Sequence, residues 1–227
     1  SDVIQKFCYN NIEANCDMYG GLYEWSQTMM ITTNWDAFVN HGYTSYDCDP
    51  CNSTSTPSAI QGICPDGWHI PSDLEWSRYE YCVENNISPN GSVPLSTFQT
   101  STSWRGTENN TGSGAKLKSC RKATGANVAA QCANCVIGDT CETSIEPKWN
   151  YDATHYGTNA SGFNALPAGN WSSTLFQNNI NSVAMFWTAT EIDDNQSYRR
   201  LLMAIRSGSY RGGMNKDAAL SVRCIKD

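Results

Sequence analysis

The sequence predicts an α+β domain of two helices and a small antiparallel sheet, with long disulfide-bearing loop insertions, as one domain over residues 1–227. Three observations predict it. Apolar residues recur at helical spacing in two places in the N-terminal part. Apolar residues alternate with polar ones in two short runs near the C-terminus. Between them lie long stretches of Asn, Ser, Thr and Gly that carry cysteines.

The elements follow in order. Residues 8–16, CYNNIEANC, form a polar loop whose two cysteines, Cys8 and Cys16, are expected to pair. Leu22, Trp25 and Met29 then make one apolar stripe and predict the first helix. Residues 40–62 are rich in Gly, Ser, Thr, Asp and Pro and read as an irregular insertion. The run ICPDGWHIPSDLEW turns at Pro65-Asp66-Gly67 and starts the second helix, where Ser72 and Glu75 are spaced as a capping box. Trp76, Tyr79 and Val83 fall on one face of that helix. Residues 85–162 read as long loops with a few short strands; the insertions sit at about 31–60 and 85–150. Order returns at FNALPAGN and VAMFWTAT. RLLMAIR (200–206) alternates around Leu201, Met203 and Ile205, and ALSVRCIK (219–226) around Leu220, Val222 and Cys224, so both read as strands. SGSYRGGMNKD between them reads as a glycine-rich hairpin connection.

Composition narrows the function classes. Hydrophobic residues are 40% and eight are Trp, enough for a core. Charged residues are only 16%, so the surface is built from Asn, Ser, Thr, Gly and Tyr, as in adaptable binding loops. Net charge is -7, with no long basic run, which argues against nucleic acid as partner. Residues 191–227 carry seven basic and five acidic side chains, net +2, a mild bias toward acidic partners. Eleven cysteines point to an oxidising compartment and so to an extracellular, cell-surface or virion-surface location. No run approaches the roughly 20 apolar residues of a membrane span, so no membrane insertion by this segment is expected. No signal peptide is seen, and Ser1 reads as a cloning boundary or a mature start.

CYNNIEANCDMYGGLYEW, GICPDGWHIPSDLEW, GAKLKS, TNASGFNALPAGN, FWTATE and LSVRCIKD occur in this order across residues 8–227. Together they resemble the Fibrobacter succinogenes major paralogous domain, a family of surface and secreted bacterial proteins. The resemblance implies a C-type-lectin-like fold, similar also to the formylglycine-generating enzyme. It implies a bridge between Cys64 and Cys224, closing a loop of about 160 residues worth roughly 3–5 kcal/mol. Related folds serve as variable proteins of diversity-generating retroelements, whose C-terminal ligand face is rich in Asn, Tyr, Ser, Asp, Arg and Gly. Residues 192–217 have that palette.

Cys48-Asp-Pro-Cys51 lacks the strand–helix context of a redox pair. Cys120, Cys132, Cys135 and Cys141 lack the spacing of two zinc knuckles. Glu146-Pro147-Lys148-Trp149-Asn150 places Lys148 where a calcium-binding lectin needs an oxygen, and Asp193 with Asp194 reads as a solvated turn. Calcium and structural zinc stay open as minor alternatives; no cofactor is expected. With three histidines (His41, His69 and His155) and no nucleophile motif, no enzyme activity is expected.

The expected role is a surface or secreted ligand-binding domain for a protein or glycan ligand on another cell or surface, and, as the resemblance implies, the variable receptor-binding protein of a diversity-generating retroelement with a C-terminal variable face. Its outward residues are expected to be Asp193, Asn195, Ser197, Tyr198, Arg200, Arg206, Ser209, Tyr210, Arg211 and Asn215, with Tyr and Arg as anchors. The alternative is the structural head of a bacterial surface or pilin-like protein without a dedicated ligand site.

Overall fold

The structure, a computed structural model, describes residues 4–30, 60–86, 92–109, 111–120, 147–172, 175–176 and 179–227. A 3-10 turn (Tyr9–Asn11) leads into α1 (Glu13–Tyr19), β1 (Tyr23–Glu24) and α2 (Trp25–Met29). Then come β2 (Trp68–His69), α3 (Asp73–Glu84), α4 (Leu95–Thr100), β3 (Trp104–Arg105) and α5 (Ser113–Leu117). The C-terminal part holds β4 (Trp171–Ser172), β5 (Leu175–Phe176), β6 (Val183–Glu191), β7 (Gln196–Met203), β8 (Ser209–Asn215), β9 (Ala219–Leu220) and β10 (Ile225–Lys226). The chain is therefore α+β, with antiparallel sheets in the orders β3-β8-β7-β6, β1-β9-β4-β5 and β2-β10.

The four-stranded sheet β3-β8-β7-β6 is the centre of the molecule. β6 is buried along most of its length because it is covered on both faces. On one face Trp25, Met29, Cys64 and Ile70 pack on Val183, Met185, Trp187 and Leu201. On the other, Trp76, Val83, Leu117, Trp149 and Phe163 pack on Ala184, Phe186 and Leu202. The second face is presented to α3, whose start is the expected capping box: the Glu75 N–H donates to Ser72 Oγ at 3.2 Å and the Ser72 N–H to Glu75 Oε2 at 2.8 Å. Trp76, Tyr79 and Val83 share a cluster, as their spacing predicts.

The GAKLKS motif has a structural reason. Lys116 Nζ donates to the carbonyls of Val83 and Glu84, both at 2.9 Å. Lys118 Nζ, fully buried, donates to the carbonyls of His155, Met203 (2.9 Å) and Arg206 (2.8 Å). One lysine ties α5 to the end of α3. The other ties it to the turn after β7. The ammonium groups add a second donor to the carbonyls of Val83 and Met203, which also accept from the Asn86 and Arg206 N–H groups.

Both expected bridges are present, Cys8–Cys16 and Cys64–Cys224. The second joins the turn before β2 to the segment before β10. Several expectations are corrected. Five helices, not two, occur among the described residues. α1 begins inside the cysteine-closed loop at Glu13 and runs past it to Tyr19, burying Cys16 and Tyr19 on one side. SGSYRGGMNKD is mostly strand β8, in the interior of the sheet: its glycines mark close approach rather than a turn. ALSVRCIK is not one strand. Ser221 leaves β9 to exchange backbone hydrogen bonds with β6, and the chain must then bend to reach Cys64. β7 ends at Met203, so Ile205 is exposed in the turn. Within 85–150, residues 92–120 hold α4, β3 and α5 rather than plain loop. Most of the two proposed insertions, including Cys48, Cys51 and His41, lies outside the described residues.

His69 is almost fully buried where β2 meets β10. Its Nδ1 lies 2.6 Å from Asp227 Oδ1 and its Nε2 2.9 Å from Glu75 Oε1. Carboxylates at both ring nitrogens call for two N–H donors, the cationic form. Burial opposes the charge, but the bonds to Asp227 and Glu75 outweigh it and raise the pKa above its ordinary 6.5. A raised folded-state pKa adds stability that is fully present below the unfolded value and lost as pH rises through the folded one. Urea unfolding of the wild type and of Asp227→Asn from about pH 5 to about pH 9 should therefore show a stability difference that shrinks with rising pH. A constant difference would show that the imidazole stays neutral.

Candidate ligand-binding face

The register of the central sheet sorts its side chains. Arg200 pairs with Arg211 and Phe186, and Arg105 with Ser209, so these face α3. Leu201 pairs with Tyr210, Tyr210 with Trp104, and Arg199 with Gly212 and Trp187, so these occupy the opposite face.

On the α3 face, three guanidinium groups meet two carboxylates. Arg211 holds Asp73 by Nε (2.8 Å to Oδ1) and Nη2 (2.8 Å to Oδ2). Arg200 reaches Asp73 Oδ1 (2.7 Å) and Glu80 Oε2 (3.0 Å). Arg105 donates to Glu80 Oε2 at 2.5 Å and to the Phe98 carbonyl. Burial would raise the Asp73 pKa, but Arg200 and Arg211 outweigh it and hold the carboxyl below its usual range. Burial, together with Arg200, pushes Arg105 down to about 10 against the pull of Glu80 and Asp73.

The expected outward residues therefore divide. Arg200, Arg211 and Ser209 are buried on the α3 face, not turned outward. A shift of one residue in the assumed register moves a side chain from one face to the other, and α3 supplies the acids that make burying these arginines tolerable. Ser197 is also buried, its hydroxyl donating to the Thr190 carbonyl at 2.7 Å. Tyr198, in the interior strand β7, is half-buried, its ring 4.1 Å from the Arg211 guanidinium. Asp193 and Asn195 are exposed in the β6–β7 turn, where Asp193 Oδ1 accepts from the Asn195 and Gln196 N–H groups, both at 2.8 Å. Asn215 is exposed beside Gln196. Trp187 is core and Trp171 stacks on Phe7.

On the face opposite α3, Arg206 and Tyr210 of the expected set join one row with two residues the sequence reading missed, Trp104 and Arg199. Arg206, 45% exposed, lies 5.2 Å from the Trp104 ring. Trp104 meets Tyr210 edge-on at 5.5 Å, and Arg199 lies 5.1 Å from the Tyr210 ring. The result is a continuous row of cation, indole, phenol and cation, flanked by half-buried Met203 and Met214. Glu108 offsets Arg206 at 3.5 Å. Arg199 has no such acid among the described residues: its Nε and Nη1 are shielded and without hydrogen-bond partners, and burial lowers its pKa. The period-two spacing of Tyr210, Gly212 and Met214 was the available signal, but the adjacent glycines made it read as a loop. Gly212 is needed there. A Cβ at that position would lie 2.6 Å from Tyr210 Cε1, so the ring rests where only hydrogen leaves room.

Among the described residues one acid–thiol cluster has metal-like spacing, Cys8, Glu13 and Cys16. Its sulfurs are joined in a disulfide and hold no thiolate for a metal. Cys120 of the zinc alternative is likewise disulfide-bonded, and the other three cysteines of that set lie outside the described residues.

A capped helix on an antiparallel sheet, covalent bridges and a Trp–Tyr–Arg row define a disulfide-bridged α+β domain. The family model of the Fibrobacter succinogenes major domain matches residues 1–226. The chain belongs to that family. No curated protein and no solved structure matches it. No helix among the described residues is long and apolar enough to cross a membrane.

Proposed function

We propose that this chain is a ligand-binding domain of C-type-lectin-like fold, displayed outside the cell, that takes a protein or glycan ligand on the Arg206–Trp104–Tyr210–Arg199 row. The observation that carries this reading is the Arg199 guanidinium, held over Tyr210 with unused donors. Trp, Tyr and Arg are the side chains that most often anchor interfaces, and a shielded guanidinium without an acid gains most from an acceptor brought by a partner. The disulfides suit an oxidising exterior. The ligand chemistry is acidic, since Arg199 has no counter-charge among the described residues.

The finer reading is that a retroelement diversifies this face. It now confines diversity to positions whose side chains do not hold the interior together. Sibling sequences should differ at Asp193, Asn195, Arg199, Arg206, Tyr210 and Asn215 and keep Asp73, Glu80, Arg200 and Arg211. Substitution of Arg200 or Arg211 as often as Tyr210 would overturn it.

Binding is tested on arrays of acidic peptides and glycans. Peptide spots retained by the wild type should be lost by the double variant Tyr210→Ala, Arg199→Gln, with the melting temperature within a few degrees. Gly212→Ala should weaken the same spots, because the Tyr210 ring must move, at a stability cost of about 1 kcal/mol. Equal retention by wild type and double variant would demote the row to packing and favour a structural surface role.

A further inference from the structure

A cavity of about 310 Å³ lies on the α3 side of the sheet, where α3, the 161–163 turn and the C-terminal segment meet. It shares no residue with the Trp104–Tyr210 row. Its walls include the rings of Trp68, Trp76, Tyr79 and Phe163, and Arg223 and Lys226 stand on its lining. Trp68 is 40% exposed and sits directly opposite Lys226 in the β2–β10 register.

The charges do not balance. The one acid of the lining, Glu75, is already used: Oε2 accepts from the Ser72 backbone and hydroxyl, and Oε1 lies on His69. Arg223 is held in place by one bond, from Nη2 to the Phe163 carbonyl at 2.7 Å, with its guanidinium 4.6 Å from the Phe163 ring. Its other N–H groups, and the Lys226 ammonium, make no hydrogen bond or ion pair among the described residues. In the wall, buried Trp76 keeps an indole N–H without an acceptor. The frame is rigid, since the Cys64–Cys224 bridge and the His69 clamp both pin the C-terminal segment against β2.

We propose that this cavity binds one uronic acid unit of an acidic glycan. The volume suits a single pyranose ring. The indole of Trp68 offers a flat apolar surface for the C–H face of the sugar, and Arg223 and Lys226 take the carboxylate. This site is independent of the row on the other face of the sheet.

The test is calorimetric titration of the intact chain with tri-galacturonic acid, galactotriose and benzoate. Tri-galacturonic acid should bind, with galactotriose and benzoate each at least about tenfold weaker. Trp68→Ala and Arg223→Gln should each weaken the uronate by roughly tenfold, Trp68→Phe should keep most of the affinity, and Tyr210→Ala should leave it unchanged. Equal binding of galactotriose or benzoate would overturn the proposal. So would absence of uronate binding, indifference to both cavity variants, or loss in Tyr210→Ala, which would move the uronate to the other face.

Discussion

Arg200→Met is expected to destabilise the fold by about 3–5 kcal/mol, read as a lower urea midpoint at unchanged slope. Arg200 is only 1% exposed and, among the described residues, is the one side chain that bonds both Asp73 and Glu80. Its removal leaves Glu80, fully buried, with Arg105 alone; Glu80 Oε1 already lacks a partner. The variant also removes two bonds to the start of α3, from Nη2 to the Asp73 carbonyl (2.7 Å) and to Ser77 Oγ (3.1 Å). Arg206→Met is the control. That arginine is 45% exposed, and its pair with Glu108 is 3.5 Å long, so its loss should cost less than about 1 kcal/mol. In a double-mutant cycle, Arg200→Met and Glu80→Gln should couple by at least about 1 kcal/mol. Additive effects would show that the network is a set of independent contacts.

Lys118→Met is expected to cost about 2–4 kcal/mol, since the carbonyls of His155, Met203 and Arg206 lose the Lys118 donor at about 1–3 kcal/mol each, least at Met203, which keeps the Arg206 N–H. The methionine fills the volume above Trp149, whose ring lies 5.4 Å from the Lys118 ammonium, but it donates nothing. Burial pushes the Lys118 amine down to about 7. The charges of Asp152 and Glu108 pull the other way. The consequence extends to the ligand face. The carbonyls of Met203 and Arg206 belong to the turn that carries the Arg206 side chain, so the variant should also lose spots on the acidic arrays. Normal stability would show that the turn finds other donors.

The legibility of this chain varied with the source of the signal. The start of α3 was readable because a capping box is a local device: Ser72 and Glu75 satisfy each other's backbone within four residues. The bridges matched what the polar loop and the family resemblance implied. β8 was not readable. Gly212 and Gly213 raised the local signal for a turn, while the force that makes it a strand comes from pairing with β7 on one side and β3 on the other. The choice between Arg199 and Arg200 as the outward residue was equally hidden. Two adjacent arginines give no alternation, and only the acids of α3, more than a hundred residues away, distinguish them.

The amino-acid sequence alone determined the class of the domain, its oxidised cysteines, its capped helix and its family. It did so because composition, spacing and short-range bonds are written in neighbouring residues. Only the tertiary structure decided which arginines are interior, that Trp104 stands beside Tyr210, and that a cationic cavity forms around Trp68. Those outcomes depend on which face of a strand meets which helix. That is settled by pairing the buried charges of distant segments, a balance that no local window of the chain contains.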